Sequence, residues 1–287
     1  MTTINAYKMD GLGNDFVIID RRKNSINLTK EKIIELGSRS NIGFDQVIFI
    51  EKEKENSFPI TIFNSDGGEV SACGNGSRCV AYLLGKNLNT KEIKLKTNNR
   101  LLNARIVGNL EVELEMGKPL YSSEEIPLSK TINPANITLE IDKNKFTGGF
   151  CVNVGNPHII FFVKDCFEYD LKTIGPKIEN HSLFPEKTNV TMAQVIDENN
   201  ITVNVWERGA GQTKACGTAA CATAVAAFKN KLAYNEVDIK FKEGFLNIKI
   251  DKTDNLFMTG PVSEVKKIDF QTSVSYTHLT LPTNSSV

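Results

Sequence analysis

Two cysteines in this chain stand in the same kind of sequence context. Cys73 and Cys216 are each followed by glycine, and each comes just before a run of residues that favours a helix. The run 217–228 is almost entirely Ala, Cys, Thr and Val, and a helix that is apolar on every side is usually buried. Unpaired N–H groups and the dipole at a helix N-terminus lower the pKa of a cysteine there. We therefore predict two thiols that ionise near neutral pH.

Two thiols on opposite sides of a carbon that bears a carboxylate can invert its configuration. One thiolate would remove the α-proton from one face, and the other thiol would deliver a proton to the opposite face. Each such acid or base step accelerates a reaction by about 10²–10⁴-fold. The backbone N–H groups after each cysteine would bind the carboxylate and stabilise its developing charge, namely those of Gly74, Asn75, Gly217 and Thr218. The pattern indicates a racemase or an epimerase.

The two cysteines belong to a longer repeat. Polar residues that end predicted strands recur 142 or 143 positions later in the same order, pairing Asn14 with Asn156, Gln46 with Asn189, Asn64 with Glu207 and Cys73 with Cys216. Matches in one order and one context indicate an internal duplication rather than chance. A duplicated fold with one set of polar loops in each copy would place its site between the copies.

The elements that must position these residues alternate in type. Strand-like runs cover 4–9, 16–19, 44–50, 59–64 and 92–116, with a helix from about 29 to 38 capped by Thr29. After a stretch without clear period, 117–136, strands at 159–163, 187–196 and 201–206 and a helix near 170–180 repeat the order. We interpret that stretch as a linker between two domains.

Composition restricts the class of protein. The 287 residues are 40% hydrophobic and 24% charged, with a net charge of zero, so neither nucleic acid nor a membrane is an expected partner. Without a signal-peptide pattern, a cytoplasmic location is predicted. The cysteine spacings suit neither a disulfide scaffold nor a zinc site, and no metal is expected. We interpret the remaining cysteines as core residues: Cys79, Cys151, Cys166 and Cys221.

The last residues are excluded from reasoning about the fold. The segment 274–283 back-translates readily to the end of a sequencing-library adapter, and we predict that 274–287 is a non-native, read-through tail.

A set of short segments resembles the signature segments of diaminopimelate epimerases: Gly11–Phe16, Gly43–Gln46, Phe63–Gly67, Ala72–Gly76, Gly155–His158, Glu207–Gly211, Ala215–Thr218 and Met258–Pro261. The resemblance implies a cofactor-independent homodimer that interconverts LL- and meso-diaminopimelate. It also implies an α+β fold of two pseudo-symmetric domains, each a mixed sheet or barrel around a central helix. We expect the first domain to comprise 1–117 and the last strand, about 263–273, and the second to comprise 118–262.

The resemblance also implies roles for residues. Cys73 and Cys216 match the catalytic pair: in one direction the first donates a proton and the second accepts one, and these roles exchange in the reverse direction. His158 and Glu207 match residues that tune the catalytic centre. Substrate contacts are implied for Asn14, Gln46, Asn64, Gly74, Asn75, Asn156, Asn189, Glu207, Arg208, Gly217 and Thr218.

Alternative interpretations stay open. Gln46 and Asn189 could instead satisfy backbone groups at strand ends, and Glu207 and Arg208 could form a surface ion pair. A proline racemase-like enzyme is a second candidate, although that group usually has histidine where this chain has Asn75. A third candidate is a non-catalytic ligand-binding or redox protein, in which the facing thiols could form a disulfide.

Overall fold

A computed structural model describes residues 2–24, 26–71, 73–98, 100–142 and 144–272. The predicted non-native tail, 274–287, lies outside the described residues. The predicted helices are present, including one directly after each of the two cysteines. Thr29 caps the first helix as predicted, because its side chain accepts a hydrogen bond from the N–H of Lys32.

The first half of the chain is built from β1 (Thr2–Gly11), β2 (Asn14–Asp20), α1 (Lys30–Gly37), β3 (Gln46–Ile50), β4 (Phe58–Asn64), β5 (Glu69–Val70), α2 (Gly74–Leu88), β6 (Glu92–Lys96), β7 (Leu101–Gly108) and β8 (Glu111–Gly117). The second half is built from β9 (Ile137–Ile141), β10 (Asn144–Asn153), β11 (Pro157–Phe162), α3 (Leu171–Glu179), β12 (Asn189–Asp197), β13 (Asn200–Glu207), β14 (Gly211–Gln212), α4 (Gly217–Lys229), β15 (Glu236–Phe241), β16 (Gly244–Ile250), β17 (Leu256–Pro261) and β18 (Lys266–Thr272).

Strand pairing repeats between the halves. In the first half β2 is parallel to β3, β3 antiparallel to β4, β4 parallel to β6, and β6, β7 and β8 form an antiparallel run. In the second half β11, β12, β13, β15, β16 and β17 pair in the same pattern. The predicted internal duplication is therefore confirmed.

Two further pairings join the ends and the halves. The final strand, β18, lies antiparallel to β1, just as β9 lies antiparallel to β10. The halves meet where β8 and β17 pair, with Leu114 opposite Met258. The exact domain boundaries given above stay a prediction.

Each half wraps its strands around one central helix. Helix α2 packs on β1, β2, β6, β7 and β8, and α4 packs on β10, β11, β12, β15, β16 and β17. Along α4 the residues from Ala219 to Ala227 are buried on every side, and their small side chains allow strands to pack all round the helix. The predicted α+β fold of two similar domains with mixed sheets is confirmed.

The four cysteines interpreted as core residues are all fully buried: Cys79, Cys151, Cys166 and Cys221. Within the described residues, no helix combines the length and apolar character needed to cross a bilayer.

Candidate active site

A cleft of about 780 Å³ lies at the N-terminal ends of α2 and α4, with residues of both halves in its wall. All but one of the predicted site residues line it: Asn14, Gln46, Asn64, Cys73, Gly74, Asn75, Asn156, Asn189, Glu207, Arg208, Cys216, Gly217 and Thr218. The exception is His158. The constant spacing of 142 or 143 residues therefore identified residues that the fold brings together in this cleft.

The two central helices begin against the same methionine. Cys73 and Cys216 are the N-cap residues of α2 and α4. A Cβ added to Gly74 would lie 3.1 Å from the Met258 methyl carbon, and one added to Gly217 would lie 2.9 Å from the Met258 sulfur. Glycine at both positions thus lets the two helix ends approach Met258 closely. This contact brings both cysteines to one cleft.

Cys216 is held as a thiol by its neighbours. Its Sγ donates to Glu207 Oε2 at 3.0 Å and lies 3.4 Å from the hydroxyl of Thr218. Burial raises the pKa of Cys216 well above its usual value, and the negative charge of Glu207 raises it further. Cys216 is therefore arranged to donate a proton.

Cys73 has a hydrogen-bond donor as its neighbour instead of a carboxylate. Its Sγ accepts a hydrogen bond from the N–H of Gly76 at 3.4 Å. Burial nevertheless raises the pKa of Cys73 to about 11, and Glu207 adds to the increase, while the Gly76 N–H opposes it. The prediction of thiols that ionise near neutral pH is therefore wrong for this geometry. Removal of the sulfur from water outweighs the stabilisation that a helix N-terminus gives to a thiolate.

His158 lies beneath the cleft wall and not in it. Its side chain is fully buried on β11, and Nε2 donates to Oδ1 of Asn156 at 2.8 Å. Burial lowers the pKa of His158 to about 3, and the positive charge of Arg208 adds to this effect. The imidazole is therefore neutral at pH 7, and its contact in this geometry is with Asn156.

The first half presents unpaired oxygen acceptors. Oδ1 of Asn14 and Oε1 of Gln46 are buried without a hydrogen-bond partner among the described residues. The Gln46 amide nitrogen donates to Asn64 Oδ1 at 2.9 Å, which fixes the Gln46 oxygen in the other direction. Leaving a buried acceptor unpaired costs about 1–3 kcal/mol. Such oxygens suit a ligand that brings donors, such as an ammonium group.

In the second half, Asn189 satisfies backbone groups. Its amide nitrogen donates to the carbonyl of Pro157 at 2.7 Å, and its oxygen accepts from the N–H of Arg208 at 2.9 Å. Asn189 therefore makes the contacts of the alternative interpretation, in which it satisfies backbone groups at a strand end. The Arg208 side chain donates to the carbonyl of Glu186 at 2.9 Å. In the described part of the chain, Glu207 and Arg208 thus each bond elsewhere rather than to one another.

The family profile of diaminopimelate epimerases matches the chain twice, over residues 6–121 and 150–265. The chain belongs to the diaminopimelate epimerase family. A diaminopimelate epimerase of Pelagibacter ubique is 56% identical to it over 271 residues, which cover 93% of this chain and 99% of that protein. The resemblance that the signature segments indicated is confirmed.

Solved structures whose sequences are only distantly similar to this chain share its fold. A phenazine biosynthesis protein of the PhzF family from Bacillus anthracis superposes with a TM-score of 0.65 at 16% identity, covering 95% of this chain and 100% of that one. A probable proline racemase from Agrobacterium radiobacter, solved with bound carbonate, gives 0.64 at 12% identity, covering 95% and 93%. At these identities the likeness is one of fold alone.

Two positively charged side chains line the cleft although the sequence did not predict them there. Arg100, between β6 and β7, lines the wall and donates to the carbonyl of Met116 at 3.1 Å. Lys214 also lines the wall and donates to the carbonyl of Gly13 at 3.4 Å. Neither belongs to a recurring polar pair, so the repeat gave no signal for them. Among the described residues no group of three or more His, Cys, Asp or Glu is arranged to bind a metal.

Proposed function

We propose that this protein interconverts LL-2,6-diaminopimelate and meso-2,6-diaminopimelate without a cofactor, by proton transfer between Cys73, the substrate and Cys216. The observation that carries the proposal is the meeting of two N-cap cysteines, one from each half, in a single cleft. Membership of the diaminopimelate epimerase family supports the choice of substrate.

The protons balance within the cysteine pair. Cys73 as a thiolate takes the α-proton, so that an S–H bond forms as the C–H bond breaks. The Cys216 thiol then gives its proton to the opposite face of the carbon, and its S–H bond breaks. The thiolate has moved from Cys73 to Cys216, and the reverse reaction starts from that state. The ionisation of the two thiols is coupled, so an apparent pKa in a rate profile belongs to the pair.

Helix ends and amides supply the rest of the chemistry. The N–H groups at the starts of α2 and α4 would bind the carboxylate beside the reacting carbon and stabilise the charge that builds on it. The unpaired oxygens of Asn14 and Gln46 suit an ammonium group. Arg208 keeps guanidinium donors beyond its bond to Glu186, and we assign these to the distal carboxylate of the substrate.

Positioning residues complete this assignment. Glu207 holds the Cys216 thiol, and His158 orients Asn156 toward the cleft. Asn189 would act on substrate through the Arg208 backbone that it holds. A homodimer and a cytoplasmic location stay predictions.

Proton exchange in heavy water tests the function directly. Reduced enzyme with LL-diaminopimelate and no added cofactor should incorporate deuterium at an α-carbon and form the meso isomer. Cys73→Ala and Cys216→Ala should each lower interconversion by at least about 10²–10⁴-fold, since each removes one acid or base. Each variant should exchange the α-proton of at most one stereoisomer, because only one face keeps its base.

Cys166→Ala is the matched control, because this thiol is buried in the second half outside the cleft wall. It should retain both exchange and interconversion. If folded, reduced wild-type protein incorporates no deuterium, the proposed function is wrong. Equal exchange of proline would instead favour the proline racemase-like alternative.

A further inference from the structure

Arg78 is a fully buried cation in α2 that none of the roles above uses. Its side chain has no solvent exposure. Nη2 donates to Asn75 Oδ1 at 2.9 Å, Nη1 lies 4.0 Å from the sulfur of Met258, and Nε has no partner among the described residues. Burying a charge without a carboxylate partner is costly. Among the described ion pairs none involves Arg78, so the enzyme keeps this cation at a cost in stability.

The ionisable groups around Arg78 are thiols. They come from both central helices, namely Cys73 and Cys79 on the α2 side and Cys221 on α4. Strand β17 contributes the neutral residues Met258 and Gly260, which pack directly against the guanidinium. Of the three thiols only Cys73 lines the cleft. The positive charge of Arg78 also lowers the pKa of Cys73, in opposition to burial. A thiolate at Cys73 would therefore supply the missing negative charge.

Arg78 also fixes the orientation of the Asn75 side-chain amide. A guanidinium carries only donors, so Asn75 must turn its oxygen to Arg78. The amide nitrogen then points elsewhere, and it has no hydrogen-bond acceptor among the described residues. Asn75 is only 4% exposed and lines the cleft beside Cys73. The orientation that Arg78 imposes leaves two N–H donors for an anion in the cleft.

We propose that Arg78 is a positioning residue for the epimerisation: it directs the Asn75 amide nitrogen toward the substrate and places a buried positive charge in the first turns of the helix that Cys73 caps. The inference rests on the proposed two-cysteine function. The Arg78 charge has no carboxylate partner among the described residues, and a negative charge on Cys73 at the start of the same helix would offset it. Arg78 therefore favours the form of the enzyme that can take a proton.

The charge is tested by following the alkylation of Cys73 with iodoacetamide as a function of pH, using mass spectrometry of the Cys73 peptide. Arg78→Met should raise the pH midpoint by about one unit, which is a tenfold change in ionisation. Arg78→Lys keeps the charge and should leave the midpoint near that of the wild type. Arg105→Met is the control, because Arg105 is exposed on β7 and pairs with Glu113. An unchanged midpoint in folded Arg78→Met would overturn the role of the charge.

The action through Asn75 is tested by a double-mutant cycle on kcat/KM. Arg78→Lys and Asn75→Ala should each lower kcat/KM by about tenfold, the scale of one hydrogen bond to a charged group. If Arg78 acts through Asn75, the double variant loses no more than Asn75→Ala alone. Losses that multiply would overturn this role. The cycle also decides the matter if Arg78→Met does not fold. A wild-type protein without epimerisation would refute the proposed function, whereas normal wild-type turnover with unaffected variants refutes only the role of Arg78.

Discussion

Glu207 makes the two cleft cysteines unequal. The Cys216 thiol donates directly to the Glu207 carboxylate, so a thiolate at Cys216 would face a negative charge at hydrogen-bond distance. Cys73 instead accepts a backbone N–H from Gly76. Burial raises the pKa of both thiols, yet the local contacts favour ionisation of Cys73 and protonation of Cys216. These contacts support the proposed removal of the α-proton by Cys73.

Replacing Glu207 by glutamine tests this inequality. Glu207→Gln removes the negative charge that raises the pKa of Cys216, so this pKa should fall. Below its pKa a thiol gains thiolate as that pKa falls, and alkylation of Cys216 at pH 8 should accelerate about tenfold for each unit of decrease. Epimerisation should slow, because the thiol loses its carboxylate acceptor. Peptide mass spectrometry after timed treatment with iodoacetamide measures the first effect.

A matched control is Glu140→Gln on β9, where the carboxylate is exposed. It should change neither alkylation nor turnover. An alkylation rate of Cys216 in Glu207→Gln equal to that of the wild type would contradict the contribution of the Glu207 charge to the raised pKa of Cys216.

At the level of elements, the position of α2 determines where Cys73 lies. Gly85 lies near the C-terminal end of this helix, against β7 and the loop that follows α2. A Cβ at Gly85 would lie 2.2 Å from the Ile106 terminal methyl and 2.8 Å from the backbone oxygen of Thr90. Distances below 3 Å cannot be accommodated without movement of the helix or of the loop. Because Gly85 has no side chain, helix α2 can pack this closely against β7 and the loop that follows the helix.

Gly85→Ala should destabilise the protein by a net amount of about 1–2 kcal/mol, because overpacking a core costs about 1–3 kcal/mol. The gain in helix propensity, about 1 kcal/mol, offsets only part of this because the Thr90 oxygen belongs to the backbone. Urea denaturation gives the change in the free energy of unfolding. Asn87→Ala on the exposed side of the same helix is the control and should stay within about 0.5 kcal/mol of the wild type. A Gly85→Ala protein as stable as the wild type would contradict this packing.

At the scale of the whole molecule, the duplication gives the cleft two similar walls with different charge. Equivalent strand ends carry Asn64 in the first half and Glu207 in the second, and Arg208 follows Glu207. The strand ends of the first wall therefore offer amide oxygens, with Arg100 nearby in the same wall, and those of the second offer a carboxylate followed by a guanidinium. This asymmetry suits a substrate with an amino acid group at each end, because the two ends meet different partners.

Binding across both walls should stabilise the whole fold. In the Cys73→Ala/Cys216→Ala double variant, which binds without turnover, LL-diaminopimelate at 100 times its Kd should add about 2.7 kcal/mol to the free energy of unfolding. Thermal denaturation should show this as a rise in Tm. Proline at the same concentration should give no shift, because it has no second charged end for Arg208. Equal shifts for the two ligands would contradict the assignment of Arg208 to the distal carboxylate.

Much of the architecture was predictable because its signals are local. A cysteine followed by glycine and by residues that favour a helix marks the start of a buried helix, and this pattern located α2 and α4. Polar residues at a constant offset indicated the duplication, and equivalent strand ends converge in a duplicated fold. For this reason almost all of the predicted site residues line one cleft. Arg78 lies just beyond the signature segment Ala72–Gly76, and the sequence does not show that its guanidinium is buried without a carboxylate partner.

The sequence by itself determined the family, the duplicated fold and the two cysteines, since these follow from residue types and their spacing. Only the tertiary structure decided how those residues ionise and what they touch. The raised pKa of Cys73, the burial of His158 and the use of Asn189 for backbone contacts all depend on neighbours distant in sequence. Desolvation and Coulomb interactions depend on the distances between side chains and on their separation from water, and the packing of the two halves sets both.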